Sequence, residues 1–230
     1  MAKQKSESHI VEKAPTDQVF LEIPFYRQTE DYSCGPACLM MAMASLDYKI
    51  EMTKDYEMEI WRESHPGEIY GTVRGGLALA ARKRGFGASI LSNTKDLEWL
   101  DYIEHKYLKF SRKRLEAHLE DFESRCLNQG VLIDIDTLTM EIIDRAMREG
   151  HVPIVLMNAI IFTDEDVPHW VVISGLDLER GTITLNNPLG EGPDTIPLER
   201  FHDGYGWRGK ETMIEIYKQD ASAKKGKKKR

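Results

Sequence analysis

Cysteine is scarce in this chain of 230 residues, which has only Cys34, Cys38 and Cys126. An odd count in a chain of this size argues against a disulfide-stapled scaffold. Long apolar runs are also absent: no stretch approaches the roughly 18 consecutive apolar residues of a membrane-spanning helix. The first 17 residues are polar and lack the apolar run of a signal peptide. We therefore expect a cytoplasmic protein with reduced thiols.

Basic residues are in the minority, 31 against 38 acidic ones, which gives a net charge of −7. Six of the basic residues stand among the last seven positions, so the rest of the chain has 25 basic and 38 acidic residues and a net charge of −13. A net charge this negative, outside the last seven residues, argues against a nucleic-acid groove as the main functional site. The basic tail could at most make weak contacts with RNA or another acidic surface, and a solvated tail is the default expectation.

The chain has enough apolar sequence for one large domain, with 41% hydrophobic residues. We expect residues 1–17 to form a flexible N-terminal segment and residues 18–218 to form the domain. Residues 219–230 are expected to be a disordered basic tail. Within the domain, the charged segment 95–128 has apolar residues at helical spacing and is interpreted as a possible helical insertion.

The two parts of the domain differ in their predicted elements. In the first two thirds, the pattern predicts the strands Val19–Ile23 and Phe86–Leu91 and the helices Cys34–Leu46, Thr53–Glu63, Val73–Lys83 and Leu138–Arg148. In the last third, it predicts the strands Val152–Met157, Trp170–Ser174, Thr182–Leu185 and Thr212–Tyr217. This order favours an α+β fold in which a helical lobe packs on an antiparallel β-sheet.

Cys34 stands where a loop changes into an apolar helix, at the start of Cys34-Gly35-Pro36-Ala37. Backbone N–H groups and the macrodipole at a helix N-terminus favour a thiolate. Gly35 leaves room for a substrate to approach the sulfur, and Pro36 presets the first helical turn. Because a thiol becomes a strong nucleophile when an imidazole lies nearby, Cys34 is a candidate catalytic residue.

His169 is the natural partner of this thiol, since it stands at the start of an apolar strand and can reach a cleft there. It would take the thiol proton and later return it to the leaving group. Such an imidazole needs an acceptor that holds its tautomer and ring angle. Asn186 and Asn187 end the next predicted strand, and adjacent antiparallel strands would bring them close to His169. We take Asn187 as the orienting residue, with Asn186 as a substitute.

Gln28 lies six residues before Cys34. Its side-chain amide could donate a hydrogen bond, together with the Cys34 backbone N–H, to the oxyanion that forms when a thiolate attacks a carbonyl. Removal of such a donor raises a reaction barrier by about 3 kcal/mol.

These residues together resemble the papain-like cysteine peptidases and, within them, the peptidase C39-like family. The resemblance covers roughly residues 20–217 and rests on Gln28-x5-Cys34-Gly35-Pro36-Ala37, Pro168-His169-Trp170-Val171-Val172 and Asn187-Pro188. It implies a papain-like fold with the nucleophile on a central helix and the histidine on the facing sheet. By position, it implies the same four catalytic roles for Cys34, His169, Asn187 and Gln28. Members of this family commonly have Asp at the position of Asn187.

The sequence therefore predicts a thiol hydrolase that cuts peptide or amide bonds through an acyl-enzyme and needs no cofactor or metal. The expected partner is a peptide or protein substrate. An acyltransferase or transpeptidase with the same thioester intermediate is an alternative, and so is a non-catalytic peptide-binding module. A metal site formed by Cys34, Cys38 and His169 is a weaker hypothesis, because a ligand set needs more spacing evidence than this.

Overall fold

The computed structural model describes residues 18–67, 69–100 and 111–219. The predicted N-terminal segment 1–17 lies outside these residues, as does the predicted tail from residue 220 onward. Ten residues of the possible insertion, 101–110, also lie outside them.

Most of the helices belong to the first two thirds of the chain. In the described residues they are α1 (Cys34–Leu46), α2 (Lys54–Ser64), α3 (Arg74–Lys83), α4 (Asp96–Trp99), α5 (Arg112–Asn128), α6 (Met140–Arg148) and α7 (Leu198–Gly204). α1 is an apolar helix whose first ten residues are all buried, as its Met- and Ala-rich sequence predicts. At the start of α2, the Thr53 side chain accepts the Tyr56 backbone N–H and so caps the helix.

Eight strands form one sheet: β1 (Gln18–Phe20), β2 (Phe86–Ser92), β3 (Leu132–Ile135), β4 (Val152–Asn158), β5 (Pro168–Asp177), β6 (Thr182–Asn186), β7 (Pro193–Pro197) and β8 (Thr212–Lys218). The strand order is β3-β2-β8-β4-β5-β6-β7, and β1 pairs with the second half of β5. All pairs are antiparallel except β2 with β3, which is parallel. The predicted α+β class is confirmed.

The sheet separates two hydrophobic cores because successive strand residues point to opposite faces. One core lies between the sheet and the helices α1, α2, α3 and α5, and Trp170 and Val172 of β5 point into it. The other lies between the opposite face and the helices α6 and α7, and contains Val171 and Ile173. The predicted helical lobe is thus the layer of helices on one face of the sheet. The sequence did not predict that helices would also cover the opposite face.

Among the α-helices and strands of the described residues, three short ones escaped prediction, β3, β7 and α7, as did the 3₁₀ helix Ala159–Ile161. β7 leaves four of its five residues exposed, and only Ile196 is buried. β3 is similarly exposed and lies at the other edge of the sheet. Edge strands that bury so little apolar surface lack the alternating pattern by which strands are recognised.

None of the helices in the described part of the chain has the length and hydropathy that crossing a bilayer requires.

The described part of the charged segment 95–128 packs against the helical layer. Its helix α5 buries Leu115, Leu119 and Phe122 in the first core, against α3. Cys126 of the same helix donates its thiol to the Gly75 carbonyl oxygen at 3.4 Å. The described part of this segment therefore covers α3 and contributes to the core.

Candidate active site

Cys34 is the first residue of α1, as the sequence predicts, and its side chain is buried and 7% exposed. Its sulfur lies near the backbone N–H groups of Trp170, Gly35 and Cys34 itself. Because Trp170 follows His169 directly, the thiol lies against the predicted histidine strand. Gly35 is required here: a Cβ at this position would lie 2.2 Å from the Thr72 hydroxyl oxygen and 3.1 Å from the Trp170 indole.

The protonation of Cys34 differs from the expected thiolate. Burial raises the pKa of the Cys34 thiol above its ordinary value, because a thiolate would lose its hydration. The surrounding backbone N–H groups act in the opposite direction but do not compensate for this loss. The resting site therefore holds a neutral thiol.

His169 lies on β5 and is also buried. Its Nε2 is 2.8 Å from Asn187 Oδ1. The Leu189 backbone N–H donates to the same oxygen at 3.0 Å, which identifies the atom as the acceptor of the amide. Nε2 must then be the protonated nitrogen, and Nδ1 is left as the basic one. Burial lowers the pKa of His169 to about 4, and the Asn187 hydrogen bond opposes this shift.

Asn187 directly follows β6, which pairs with β5 as an antiparallel neighbour. This pairing brings Asn187 to His169, as the order of the two strands in the sequence predicts. Asn186 points elsewhere: its Nδ2 donates to the Ile23 carbonyl oxygen at 3.3 Å. Of the two candidates, Asn187 is the one that contacts the imidazole.

Gln28 is joined to the same region through its backbone, whose N–H donates to the Pro188 carbonyl oxygen at 3.0 Å. Its side-chain Nε2 donates to the Glu30 carbonyl oxygen at 2.8 Å. An amide nitrogen has two hydrogens, so one remains for another acceptor. Gln28 Oε1 is buried and has no hydrogen-bond partner in the described residues.

A family model described as "Peptidase_C39 like family" matches residues 23–199 of the chain. The chain belongs to this family. The match includes Gln28, Cys34, His169 and Asn187, and it confirms the resemblance that these residues carried in the sequence. No curated protein matches the chain.

Solved structures give distant likenesses to this member of the Peptidase_C39 like family. One is a double glycine motif protease from an AMS/PCAT transporter in complex with the leader peptide: it is 17% identical, with a TM-score of 0.44, over 86% of this chain and 94% of that chain. Another is the peptidase domain of Streptococcus ComA, a bi-functional ABC transporter involved in a quorum sensing pathway: it is 18% identical, with a TM-score of 0.44, over 84% of this chain and 97% of that chain.

Glu57 is a residue of the site region that sequence reasoning missed. It lies on α2 and is fully buried. Its carboxylate accepts hydrogen bonds from the Thr29 backbone N–H at 3.0 Å, the Thr29 hydroxyl at 2.6 Å, the Ser33 hydroxyl at 2.6 Å and the Tyr26 hydroxyl at 3.1 Å. All four donors lie between residues 26 and 33, the segment that contains Gln28 and leads into Cys34.

These four hydrogen bonds replace the hydration that a buried carboxylate loses. They tie the segment of Gln28 and the start of α1 to α2 in this member of the Peptidase_C39 like family. In the sequence, Glu57 looks like an ordinary acidic residue in the first turn of a helix, and no motif distinguishes it from Asp55 or Glu59.

Cys38 is not placed as a metal ligand would be. It lies one turn after Cys34 on α1 and donates its thiol to the Trp170 carbonyl oxygen at 3.2 Å, inside the first core. Within the described ranges, no group of three or more His, Cys, Asp and Glu side chains is arranged to hold a metal ion. The metal hypothesis for Cys34, Cys38 and His169 therefore finds no ligand set in the fold.

Proposed function

We propose that this chain is a thiol peptidase in which Cys34 is the nucleophile and His169 is the general base. The observation that carries the proposal is the fixed tautomer of His169, whose Nε2 donates to Asn187 Oδ1. Nδ1 is then free to take a proton, and the Cys34 thiol lies against the residue that follows this histidine. A neutral thiol and a neutral imidazole are the protonation states from which general-base activation begins.

The chemical steps follow from this assignment. Nδ1 of His169 takes the Cys34 proton while the sulfur attacks the carbonyl carbon of a peptide bond. The C–N bond then breaks, His169 gives its proton to the departing amine, and a thioester on Cys34 remains. Water, deprotonated by His169, attacks this thioester and releases the carboxylic acid and the free thiol.

Gln28 and the N-terminus of α1 would stabilise the oxyanion of both attacks. The first N–H groups of a helix have no acceptor within the helix, so those of Cys34 and Gly35 are suited to this role. The second hydrogen of Gln28 Nε2 would be the side-chain donor. A peptide or protein is the proposed substrate.

Alkylation of the thiols by iodoacetamide, followed by mass spectrometry, tests the proposed pair. We expect Cys34 to react at pH 7 in the native protein, and His169→Ala to slow this reaction at least about tenfold because the general base is lost. His151→Ala is the matched control, since His151 pairs with Glu215 at the other end of β4 and should not affect the reaction. Equal rates in the wild type and His169→Ala would refute the pair.

Cleavage of a peptide library tests the reaction itself, with Cys34→Ala as the inactive variant and Cys126→Ala as the control. Cys126 is also buried, and burial raises its pKa to about 12, but it lies between α5 and α3. Cleavage by the wild type and Cys126→Ala, but not by Cys34→Ala, supports the proposal.

A non-catalytic peptide-binding module is the second candidate, and the buried Cys34 thiol with its raised pKa favours it. Peptides that bind but are not cut, together with a Cys34 reaction that is independent of His169, would establish it.

A further inference from the structure

A pocket of about 200 Å³ lies beside Cys34, which is one of its lining residues. Its other walls are mainly apolar: Leu156 and Trp170 belong to the sheet, while Ile69, Val73 and Trp207 lie in segments that connect the helices and strands. Ligand pockets for drug-sized molecules begin at roughly 300 Å³. A dry apolar cavity of about 150 Å³ holds one benzene molecule. This pocket therefore has the volume for a single side chain.

The two indoles of the pocket are fixed in place by their own hydrogen bonds. Trp170 Nε1 donates to the Thr72 carbonyl oxygen at 3.3 Å, and Trp207 Nε1 donates to Asp166 Oδ1 at 3.0 Å. Trp207 also exchanges two backbone hydrogen bonds with Lys210, each of 3.0 Å. Because their polar atoms are satisfied, the indoles offer the pocket apolar ring surface that does not need to rearrange when a ligand binds.

The charged residues of the pocket are both basic. Arg74 and Lys210 line it, and no acidic residue is among the described residues that do. Both are buried and share one carboxylate outside the lining: Arg74 Nε is 3.1 Å from Asp96 Oδ1, and Lys210 Nζ donates to the same oxygen. A lysine or arginine side chain entering the pocket would lose its hydration and meet two cations, so the pocket should reject it.

We propose that this pocket is the specificity subsite of the chain and binds one aromatic or branched apolar side chain of the substrate. The inference rests on the proposed function. Since Cys34 is itself part of the wall, the residue bound there lies within two positions of the bond that is cut, given the spacing of about 3.8 Å between successive Cα atoms. Burial of such a side chain favours it over glycine by about tenfold or more in kcat/KM.

Cleavage of matched peptides tests this assignment. Cleavage sites are first located in a mixed peptide library, and the residues on either side of the cut are then changed to Phe, Leu, Gly or Lys. We expect one position at which Phe or Leu exceeds Gly by at least about tenfold in kcat/KM and at which Lys is the poorest. Equal rates for Phe and Gly at every position, or a preference for Lys, would overturn the subsite.

Two variants locate the preference in the pocket. A Cβ on Gly71 would meet no atom within 4 Å, so Gly71→Leu adds volume at the pocket wall without a clash. It should reduce the ratio of Phe to Gly substrates at least fivefold, since the bound side chain loses its space. Gly192→Leu is the matched control, because Gly192 also meets nothing within 4 Å but does not line the pocket. Trp207→Ala, which removes one wall, should lower the same ratio.

The outcomes separate the subsite from the proposed chemistry. Cleavage that requires Cys34 in Gly71→Leu as well as in the wild type, with the preference for Phe lost only in Gly71→Leu and kept in Gly192→Leu, supports the subsite. Cleavage that depends on Cys34 but shows the same Phe preference in the wild type, Gly71→Leu and Trp207→Ala overturns the subsite and leaves the peptidase standing. Cleavage that persists in Cys34→Ala refutes the peptidase itself.

Discussion

The imidazole of His169 and the amide of Asn187 are joined by one 2.8 Å hydrogen bond, and the amide oxygen is held from its other side by the Leu189 backbone N–H. The second bond prevents the amide from rotating, because rotation would present its NH2 group to the Leu189 donor. Asn187 therefore fixes both the ring angle and the tautomer of His169 without contributing a charge.

Asn187→Ala should lower kcat on a cleaved peptide by about 100-fold, because the imidazole loses its orientation. Asn186→Ala is the matched control: Asn186 is buried next to it but donates to Ile23, so its loss should reduce stability more than turnover. Steady-state kinetics and urea unfolding of both variants make the comparison. A larger loss of kcat in Asn186→Ala would move the orienting role to that residue.

Turnover should hold as the pH falls from 7 to 5 and then decline as it passes through about 4, where burial places the pKa of His169. Below that value the imidazole is protonated and cannot act as a base. The pH profile of kcat/KM measures this decline, which forms the acidic limb of the profile.

Asn187→Asp should keep most of the activity and move the same limb to higher pH, since a carboxylate stabilises the imidazolium. A wild-type limb near 6.5 would mean that His169 is hydrated in the working enzyme, and an unshifted limb in Asn187→Asp would mean that the limb belongs to another group.

The sequence predicted the elements that hold Cys34, His169 and Asn187 better than it predicted the edges of the fold. Cys34 opens its helix and Asn187 reaches His169 because local signals are enough: Pro36 sets a first turn, and a short hairpin joins β5 to β6. By contrast, the exposed edge strand β7 has almost no apolar pattern to reveal it.

The protonation of the site and the role of Glu57 required the folded structure. A helix N-terminus suggests a thiolate at Cys34, but its thiol loses hydration because it is buried in the core that also contains Trp170 and Val172, more than a hundred residues away in sequence. Glu57 meets its donors only because α2 packs against the segment before α1. Contacts of this kind leave no local pattern in the sequence.

Acid should destabilise the fold through His169. Its pKa is near 6.5 when unfolded and about 4 when folded, so the unfolded state takes up the proton first as the pH falls. The stability is complete above pH 6.5 and is lost as the pH falls toward 4. Between pH 7 and pH 5 the wild type should lose about 2 kcal/mol more than His169→Gln does. Urea unfolding at both pH values measures the difference, and parallel losses in the two proteins would contradict it.

Gly76→Ala should destabilise the fold by about 3 kcal/mol, since a Cβ there would lie 2.3 to 2.8 Å from backbone atoms of Ser64, where α2 crosses α3. Alanine gains about 1 kcal/mol of helix propensity over glycine, which is too little to offset this overlap. Gly75→Ala is the matched control on the same helix, because the nearest atom to its added Cβ is Phe122 Cβ at 3.1 Å, a contact that a movement of a few tenths of an ångström relieves. Thermal unfolding compares them, and equal losses would show that the helix crossing can relax.

Glu57→Ala should remove the acceptor of four hydrogen bonds and so loosen the segment that contains Gln28. We expect a loss of about 3 kcal/mol in stability and a fall in kcat of at least tenfold, with a smaller change in KM, because the oxyanion donors are misplaced while the apolar pocket is not. Glu57→Gln should recover most of both losses: its oxygen can accept from Thr29 N–H and Ser33, while the hydroxyls of Thr29 and Tyr26 can turn to accept from its NH2 group.

Glu59→Ala is the control for Glu57→Ala. Its side chain is half exposed on the same helix, and its loss should lower the stability by at most about 1 kcal/mol. A Glu57→Ala variant that loses stability but keeps the kcat of the wild type would limit Glu57 to a structural role.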